Sequence, residues 1–500
     1  MNPTRVFRWA SLGLCHLALL CPASNADESS RPNIVWIIPD DMSANFGCYG
    51  ETAIQTPHVD ALAESGVKFT SAVVTAPVCS TCRSAFITGM YQTSIGAHHH
   101  RSGRGELSID LPEGVRLVPE LFQEAGYYTS ISSWPIKNRL GKTDYNFQWD
   151  PTVYDGSDWS QREPGQPFFA QIQTQGGKLR GKDASGWDRI AARAEQALGS
   201  STSIDAVTLP PYYPEHPDIV RDWAAYLDSV RMTDAMVGEV IARLESEGVL
   251  ENTLIIFMTD HGISHARGKQ FLYEEGIHVP LVISGPGIEP NSVRDDPVEH
   301  IDIAALSLSA AGIERPDTMQ ARDILDPDYE PRDTVFSARD RCDETVDHIR
   351  SARTTQYKYI RNFLPDRPYL QPCAYKDAKA ILKAIREVHR RGDMNETQQL
   401  VMRTSRPVEE LYDMTSDPFE IHNLAEDPAH AETLATMRGR LDDWMESTND
   451  QGRQPESMEM FDSDMAEYLY KFRDGRGDQN HYRSILRNIA QMKAWAAEGK

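Results

Sequence analysis

Beyond its first 26 residues, this 500-residue chain has few cysteines, no long hydrophobic run and no excess of basic residues. Five cysteines remain in this part, and a chain of this size does not need disulfides to form a stable core. No apolar run reaches the roughly 20 residues of a membrane-spanning helix, so we expect no membrane span. The formal net charge of −23 excludes a surface that binds nucleic acid over its whole extent.

The first residues have the pattern of a secretory signal peptide. Arg5 and Arg8 precede an apolar run at residues 10–20, and small residues follow up to Ala26. We therefore predict that residues 1–26 are a signal peptide and that cleavage follows Ala26. The protein is then exported, either to the periplasm or into the medium.

Strand and helix patterns alternate through the first two thirds of the chain. Continuous apolar runs at residues 33–38 and 254–258 are typical of strands buried on both faces of a parallel sheet. Residues 218–247 repeat apolar side chains at helical spacing. Later, alternation at residues 357–363 and an amphipathic pattern at 429–445 indicate a small antiparallel sheet with a packed helix. The sequence predicts an α/β domain and a small C-terminal α+β subdomain.

Polar side chains follow both apolar strands at the point where each strand ends. Asp40 and Asp41 come after the first strand, and Asp260 and His261 come after the second. Open α/β sheets bind ligands at the carboxyl ends of their strands. Carboxylate oxygens suit hard cations such as Ca²⁺ or Mg²⁺. We predict a metal site at this edge, and ordinary solvation of strand ends is the alternative.

A further motif at residues 77–89 places a small nucleophile, Cys79, four residues before Arg83. This order predicts a loop that enters a helix, where the N-terminal amides and a guanidinium favour negative charge on Cys79. The motif resembles the activation signature of the type I sulfatases, in the alkaline-phosphatase-like superfamily. The run at residues 257–262, followed by a lysine before a Leu-Tyr-Glu segment, resembles the same family. Thr81 stands where the family usually has proline.

The resemblance implies a modified nucleophile beside one metal ion. A sulfatase-maturing enzyme would oxidise Cys79 to formylglycine. One Ca²⁺ would be held by Asp40, Asp41, Asp260 and His261, with the formylglycine at position 79. By the family's mechanism the hydrated aldehyde attacks sulfur, and its second hydroxyl then expels sulfate.

The resemblance also gives roles to four cationic side chains. Arg83 would neutralise the nucleophile and the metal cluster, and Lys142 and Lys269 would contact the sulfate oxygens. The histidine common two positions after Lys142 is replaced by Asp144. Lys178 takes the position of a histidine that protonates the leaving group. It acts there either as an acid or only as an electrostatic contact.

Substrate contacts are expected next to these groups. The preferred interpretation of His100 and Arg101 is a substrate subsite, with surface solvation as the alternative. Arginines in the segments 339–341 and 350–353 would extend a basic pocket toward the sugar. If Cys79 is oxidised, Cys342 could pair with one further cysteine, Cys373, although both are equally explained as buried thiols.

The resemblance runs from Arg31 to about Trp444 and is nearest to bacterial sulfatases of the N-sulfoglucosamine sulfohydrolase-like group. It implies a large mixed, mostly parallel sheet sandwiched by helices. We assign residues 31–345 to the sulfatase catalytic domain, 346–448 to the antiparallel-sheet subdomain and 449–500 to a polar C-terminal extension. That extension is either ordered or a tail.

The expected function is the removal of sulfate from a sulfated sugar or polysaccharide, with an O- or N-linked sulfate. Two alternatives stay open. The first is a non-catalytic binder of sulfated glycans whose Cys79 is never oxidised. The second is a related phosphodiesterase or phosphonate hydrolase, which the single histidine among the metal candidates disfavours because transition metals prefer more imidazole ligands.

Overall fold

Two sheets hold nearly all strands of the computed structural model, which describes Met1 and residues 31–500. Apart from Met1, the predicted signal peptide lies outside the described residues. In chain order the strands are β1 (Asn33–Pro39), β2 (Gly66–Phe69), β3 (Ala72–Val73), β4 (Tyr128–Ser133), β5 (Phe168–Thr174), β6 (Thr253–Met258), β7 (Leu281–Ser284), β8 (Ser292–Arg294), β9 (Val298–Glu299), β10 (Val335–Arg339), β11 (Ile349–Arg353), β12 (Tyr357–Asn362) and β13 (Glu409–Asp413). The α-helices are α1 (Pro57–Glu64), α2 (Cys79–Thr88), α3 (Val118–Glu124), α4 (Ala184–Leu198), α5 (Pro217–Ser246), α6 (Glu274–Ile277), α7 (Asp302–Ala310), α8 (Ala374–Asp377), α9 (Ala380–Arg391), α10 (Glu396–Gln399), α11 (Ala431–Ser447), α12 (Met458–Tyr470) and α13 (Gln479–Ala497).

The large sheet contains the parallel strands that the apolar runs predict. Its spatial order is β4-β5-β1-β6-β7-β2-β8. The strands β4, β5, β1 and β6 are parallel neighbours, β7 is antiparallel to both β6 and β2, and β8 is parallel to β2. Every residue of β1, β5 and β6 is buried, because both faces of this sheet are covered. The prediction of a mixed, mostly parallel sheet is confirmed.

Two groups of helices pack around the large sheet. The long helix α5, predicted at residues 218–247, contacts α1, α4 and α9, whereas α2 contacts α3 and α7. Trp36 of β1 donates a hydrogen bond to Ser307 of α7 at 2.9 Å and packs edge-on against Phe86 of α2. These contacts fix α2, and with it the motif at residues 77–89, against the centre of the sheet.

The smaller sheet is antiparallel throughout, in the order β10-β11-β12-β13. The helix α11, predicted at residues 429–445, packs on β11 and β12. The boundary that we placed between residues 345 and 346 falls between β10 and β11. The sheet therefore takes its first strand from the segment assigned to the catalytic domain. The backbone of Ala338 in β10 also donates a hydrogen bond to Thr75 at 2.8 Å, which joins the two parts.

The polar extension at residues 449–500 is an ordered part of the molecule. It contains α12 and α13, whose side chains Phe461, Met465 and Met492 form a buried cluster. Their burial explains why a stretch with mostly polar composition folds back onto the protein. Among the described residues, none of the helices combines the length and the apolar composition needed to cross a membrane.

Candidate active site

The two polar strand ends meet at the carboxyl edge of the large sheet. Because β1 and β6 are parallel neighbours, Asp40 and Asp41 lie beside Asp260 and His261. The backbone NH of Asp41 donates a hydrogen bond to Oδ1 of Asp260 at 3.0 Å. Asp41 has a φ of 55°, in the left-handed region that few non-glycine residues adopt. Such conformations are common at functional sites, where the surrounding structure holds them in place.

Cys79 is the first residue of α2, as the loop-to-helix pattern predicts, and it is 3% exposed. Its Sγ atom lies 3.1 Å from Nε2 of His261 and 2.9 Å from Nζ of Lys269. Nζ of Lys178 is 3.7 Å away. The fold thus brings three predicted site residues from distant segments into contact with the sulfur.

Arg83 lies one helical turn after Cys79 and faces the acidic groups. It contacts both Asp40 and Asp260, with its Nη2 atom 3.2 Å from Oδ2 of Asp260. A further guanidinium NH donates to the side-chain oxygen of Gln173 at the end of β5. Since Arg83 is 1% exposed, these contacts are made away from water.

Three lysines complete the ring of cations around the site. Nζ of Lys142 is 3.0 Å from Oδ2 of Asp40, and Nζ of Lys178 is 2.6 Å from the same oxygen. Nζ of Lys269 is 3.1 Å from Oδ1 of Asp41. Lys142 and Lys178 stay about one third exposed, whereas Lys269 is buried. The open side of the site is therefore lined by Lys142 and Lys178.

These cations control the ionisation of the acidic groups. Burial opposes ionisation of Asp40, but the ammonium groups of Lys142 and Lys178 outweigh it and hold the pKa of Asp40 well below its usual value. Burial likewise raises the pKa of the Cys79 thiol, and the three lysines, Lys269 included, outweigh it and hold that pKa well below the usual range. The position of Cys79 therefore favours a negatively charged group.

The charges around Lys178 bear on its two interpretations. Burial lowers its pKa, but the nearby Asp41, Cys79 and Asp40 outweigh burial and raise the pKa well above the usual value. A lysine with a raised pKa holds its proton near neutral pH. This direction favours an electrostatic contact over a general acid.

The donors near Cys79 fit a metal ion. The carboxylate of Asp41, the sulfur of Cys79 and a ring nitrogen of His261 all lie within 4.8 Å of one another and are buried. The Nδ1–H group of His261 donates to the carbonyl oxygen of Gly262 at 2.9 Å, which directs Nε2 toward Asp41 and Cys79. Carboxylate oxygens from Asp41 and the two neighbouring aspartates are hard ligands.

Thr81, the departure from the family signature, lies in the first turn of α2. Its hydroxyl donates a hydrogen bond to the carbonyl oxygen of Val78 at 2.8 Å, and the side chain is buried. Proline is tolerated in a first helical turn, where the backbone NH has no intrahelical acceptor. Thr81 occupies this turn and satisfies a carbonyl group there, so the backbone of the signature keeps its helical start.

His100 and Arg101 lie beside the nucleophile position. Nδ1 of His100 is 2.7 Å from Oγ of Ser80, the residue after Cys79, and the backbone NH of Arg101 donates to the same oxygen at 2.9 Å. His100 is buried, whereas the Arg101 side chain is 46% exposed and pairs only loosely with Asp144 at 3.7 Å. Both face a cavity next to the site.

The arginines of the segments 339–341 and 350–353 do not form the basic pocket that we expected. Each is buried and paired with carboxylates of the protein itself, and of these arginines Arg341 lines the cavity beside the site. Their partners are Asp347 for Arg339, Glu456 and Asp464 for Arg341, Asp340 and Asp450 for Arg350, and Glu274 for Arg353. Most of these partners are remote in sequence, so the basic composition alone was misleading.

The five cysteines after residue 31 are all free thiols. Cys342 and Cys373 are buried close together, and Nε2 of Gln270 lies 3.0 Å and 3.6 Å from their sulfur atoms. The interpretation as buried thiols therefore applies to this pair, and the disulfide is not formed in this structure.

Several site residues were missed by the sequence analysis. Gln173 binds Arg83, Ser80 binds His100, and the hydroxyl of Tyr375 lies 3.4 Å from Oδ2 of Asp41. Gln173 lies near the end of β5, at the same sheet edge as the two polar strand ends. Tyr375 comes from the short helix α8, which no pattern linked to this edge.

The fold and the site together define a hydrolase of the sulfatase class, and comparisons with known proteins agree. A family model described as sulfatase matches residues 32–313, and one described as N-sulphoglucosamine sulphohydrolase, C-terminal, matches residues 261–369. An ulvan-active sulfatase of Formosa agariphila is 32% identical, over 85% of this chain and 77% of its own. The human N-sulphoglucosamine sulphohydrolase is 28% identical, over 84% and 91%. The chain belongs to the sulfatase family and is a sulfatase.

Solved structures show the same fold. A 2-O glycosaminoglycan sulfatase has a TM-score of 0.59 and 20% identity, over 86% of this chain and 96% of its own. A phosphonate monoester hydrolase from Silicibacter pomeroyi has a TM-score of 0.56 and 18% identity, over 84% and 96%. At these identities the likeness shows the fold alone, since one fold supports both chemistries.

Proposed function

We propose that this sulfatase removes sulfate from a sulfated carbohydrate through a formylglycine at position 79 and a Ca²⁺ ion. The observation that carries the proposal is the convergence of three lysines and one arginine on Cys79 and its acidic neighbours. The names of two relatives support a sulfated carbohydrate as the substrate. One is an ulvan-active sulfatase, and another is an N-sulphoglucosamine sulphohydrolase. A solved relative is described in complex with D-glucosamine-2-N,6-O-disulfate as its substrate.

The donor set supports Ca²⁺ as the metal. Asp40, Asp41, Asp260, His261 and the group at position 79 would hold it. Three carboxylates in one buried cluster supply hard oxygen ligands, which suit Ca²⁺. The ion would supply positive charge that favours ionisation of a bound oxygen. The hydrate of formylglycine would supply an oxygen nucleophile, which a cysteine thiol does not have.

The protein's own cations have distinct parts in this proposal. Lys142 and Lys178 line the open side, so they bind the sulfuryl oxygens of the substrate and stabilise charge that develops there. Lys269, buried against Asp41 and position 79, orients the nucleophile and reaches the same sulfuryl group. Arg83 holds two of the acidic ligands in place. The groups therefore bind, orient and neutralise, and the leaving oxygen or nitrogen takes its proton from water at the open side of the site.

Export and maturation follow from the same proposal. The signal-peptide pattern at residues 1–26 supports export to the periplasm or the medium. Cys79 is 3% exposed in the folded chain, so a sulfatase-maturing enzyme would have to reach it before folding is complete. Oxidation would therefore precede or accompany folding.

The deciding experiment is mass spectrometry of the tryptic peptide 69–83, from protein expressed with a sulfatase-maturing enzyme. We expect an aldehyde at residue 79 and a thiol at Cys82. The same preparation is then tested for sulfate release from sulfated oligosaccharides, with and without the chelator EGTA. Aldehyde formation together with EGTA-sensitive release supports both cofactors.

Because Thr81 departs from the family's oxidation signature, one alternative function stays open, that of a non-catalytic binder of sulfated glycans. An intact Cys79 thiol in protein from the maturing host, combined with glycan binding and no sulfate release, would establish that function instead. A Thr81→Pro variant separates the two explanations. If it alone acquires the aldehyde, the natural residue blocks oxidation and the hydrolase proposal fails for the natural chain.

A further inference from the structure

A cavity of about 270 Å³ lies next to position 79, between the sulfatase core and the terminal helix α12. The core contributes His100, Arg101 and Arg104, a turn after β10 contributes Asp343, and α12 and the residue after it contribute Tyr468 and Lys471. His100 contacts Ser80, which directly follows Cys79. His100 and Ser80 thus connect the wall of the cavity to the reacting group at position 79.

The floor of the cavity contains a buried carboxylate that has no donor. Asp343 is 8% exposed, and among the described residues no group donates a hydrogen bond to its side-chain oxygens. Nε2 of the His100 imidazole lies 3.6 Å from Oδ1 of Asp343, beyond hydrogen-bond distance. Asp343 also has a φ of 49°, so its backbone is strained to hold this position. Because the Asp343 carboxylate lines the cavity, a ligand there can donate hydrogen bonds to it.

The rim of the cavity is cationic although the whole chain is strongly acidic. The side chains of Arg101 and Arg104 are 46% and 32% exposed, and they share one carboxylate, Asp144. Lys471 is exposed, and in residues 31–500 it has no carboxylate partner within 4.0 Å. Its ammonium lies 4.5 Å from the ring centroid of Tyr468, which lines the same cavity. The exposed carboxylate of Glu467 lies on the same lining, so the cations that can meet an anion are Arg101 and Lys471.

We propose that this cavity is a sugar subsite that selects glycans with a second acidic group. Asp343 accepts hydrogen bonds from sugar hydroxyls, Tyr468 packs against the sugar ring, and Arg101 and Lys471 bind a carboxylate or a second sulfate on the neighbouring residue. The terminal extension is then part of the substrate site. This inference rests on the proposed function, because it assumes a sulfated carbohydrate at position 79.

The physical basis for each contact is separate. A carboxylate offers up to four acceptor positions, which matches vicinal hydroxyls of a pyranose. An aromatic ring covers the apolar face of a sugar, and this contact removes apolar surface from water. Arginine binds a carboxylate or sulfate with two parallel hydrogen bonds, whereas Lys471 adds a point charge.

The test compares two substrates in the matured enzyme. One is a small aryl sulfate without a sugar, and the other is a panel of oligosaccharides from heparin, chondroitin sulfate and ulvan. The variants are Asp343→Asn, Tyr468→Ala and Lys471→Ala, and the control is Arg487→Ala, which removes an exposed charge on α13 away from the cavity. We expect each subsite variant to lose about 10- to 100-fold in kcat/KM on the preferred oligosaccharide. The loss with the aryl sulfate is at least five times smaller.

The nature of the second acidic group is resolved with modified oligosaccharides. Carboxyl reduction of the uronate removes one candidate group, and selective desulfation removes the other. One of these modifications should lower kcat/KM of the natural enzyme without lowering kcat/KM of Lys471→Ala any further. The group that this modification removes is the group bound at the rim. Equal losses on aryl sulfate and oligosaccharide, or losses no larger than that of Arg487→Ala, would overturn the proposed subsite.

Failure of the proposed function gives a different result. If the natural enzyme releases no sulfate from any substrate, the hydrolase proposal fails. The subsite is then judged by calorimetric binding of the same oligosaccharides. Weaker binding by Tyr468→Ala and Lys471→Ala, but not by Arg487→Ala, supports a glycan-binding cavity. Unchanged binding refutes it.

Discussion

At the scale of single residues, charge balance explains the arrangement around position 79. Three buried aspartates face four cations, and these cations also favour negative charge on the side chain at position 79. The cations are not equivalent. Arg83 and Lys269 are buried and bind acidic side chains, whereas Lys142 and Lys178 are partly exposed. The exposed pair is therefore free to exchange a carboxylate contact for a substrate oxygen, whereas Lys269 keeps its contact with Asp41 as it reaches the sulfuryl group.

Lys178 provides the sharpest test of this division. Lys178→Ala removes a charge that contacts the transferred group, so we expect kcat to fall by about 10²- to 10³-fold. Lys178→Arg keeps the charge, and we expect it to recover most of the loss. Steady-state kinetics over pH 5 to 10 make the comparison, with Lys182→Ala, on the solvent-facing side of the same loop, as the matched control.

A general-acid role for Lys178 predicts a different result. Arginine cannot release its proton in this pH range, so Lys178→Arg would then be as inactive as Lys178→Ala. The alkaline limb of the pH profile would also disappear in both variants. Either observation would contradict the electrostatic contact.

At the scale of elements, a close approach of two backbones positions Lys178. The loop after β5 passes directly over the end of β1, and the backbone NH of Gly177 donates to the carbonyl oxygen of Asp40 at 2.8 Å. A Cβ atom on Gly177 would lie 2.2 Å from the carbonyl oxygen of Asp41. Only glycine permits this approach, since the obstructing atom belongs to the backbone.

Gly177→Ala should therefore separate the loop from β1. We expect the strain to lower the free energy of unfolding by about 1–3 kcal/mol and to reduce activity more than stability, since Lys178 moves with the loop. Urea denaturation and kcat/KM measure the two effects. The control is Gly439→Ala in α11, where a Cβ meets nothing within 4 Å, and we expect that change to stabilise the chain by about 0.5–1 kcal/mol. Full activity in Gly177→Ala would contradict this account.

The same elements show what the sequence could and could not predict. The strands β1 and β6 and their polar ends were predictable, because apolar runs and the parallel-sheet rule are local signals. The cavity beside the site was not, since Asp343 and Tyr468 reach it from a turn and a helix that carry no motif. For the same reason, the sequence did not reveal that Arg341 is paired with carboxylates of the protein. Its partners, Glu456 and Asp464, lie far along the chain.

At the scale of the whole molecule, one buried glutamate links three separate parts. Glu344, in the turn after β10, accepts a hydrogen bond from the backbone NH of Ala374, which begins α8, at 2.7 Å. It also accepts one from the side-chain amide of Asn488 in α13 at 2.8 Å. The terminal extension is therefore joined to the turn that carries Asp343. The stability of this junction depends on the protonation of Glu344.

Burial and the nearby Asp343 raise the pKa of Glu344 to about 7. An unfolded glutamate has a pKa of about 4.3, so the folded protein binds more protons between pH 4 and 7. Stability from this group is therefore complete below about pH 4 and is lost as pH rises through about 7. The variant Glu344→Gln keeps an acceptor oxygen without the charge. We expect it to match the natural protein near pH 4.5 and to exceed it at pH 8, by roughly 2–3 kcal/mol.

Urea denaturation at the two pH values measures this difference, and Glu459→Gln, an exposed change on α12, is the control. A parallel pH dependence in Glu344→Gln and the natural protein would show that Glu344 is already ionised in the folded state.

The expected result has a consequence for the site. Because Glu344 adjoins Asp343, ionisation of Glu344 near neutral pH loosens the turn that forms the cavity floor. Oligosaccharide binding should then weaken above pH 7 in the natural protein and stay constant in Glu344→Gln.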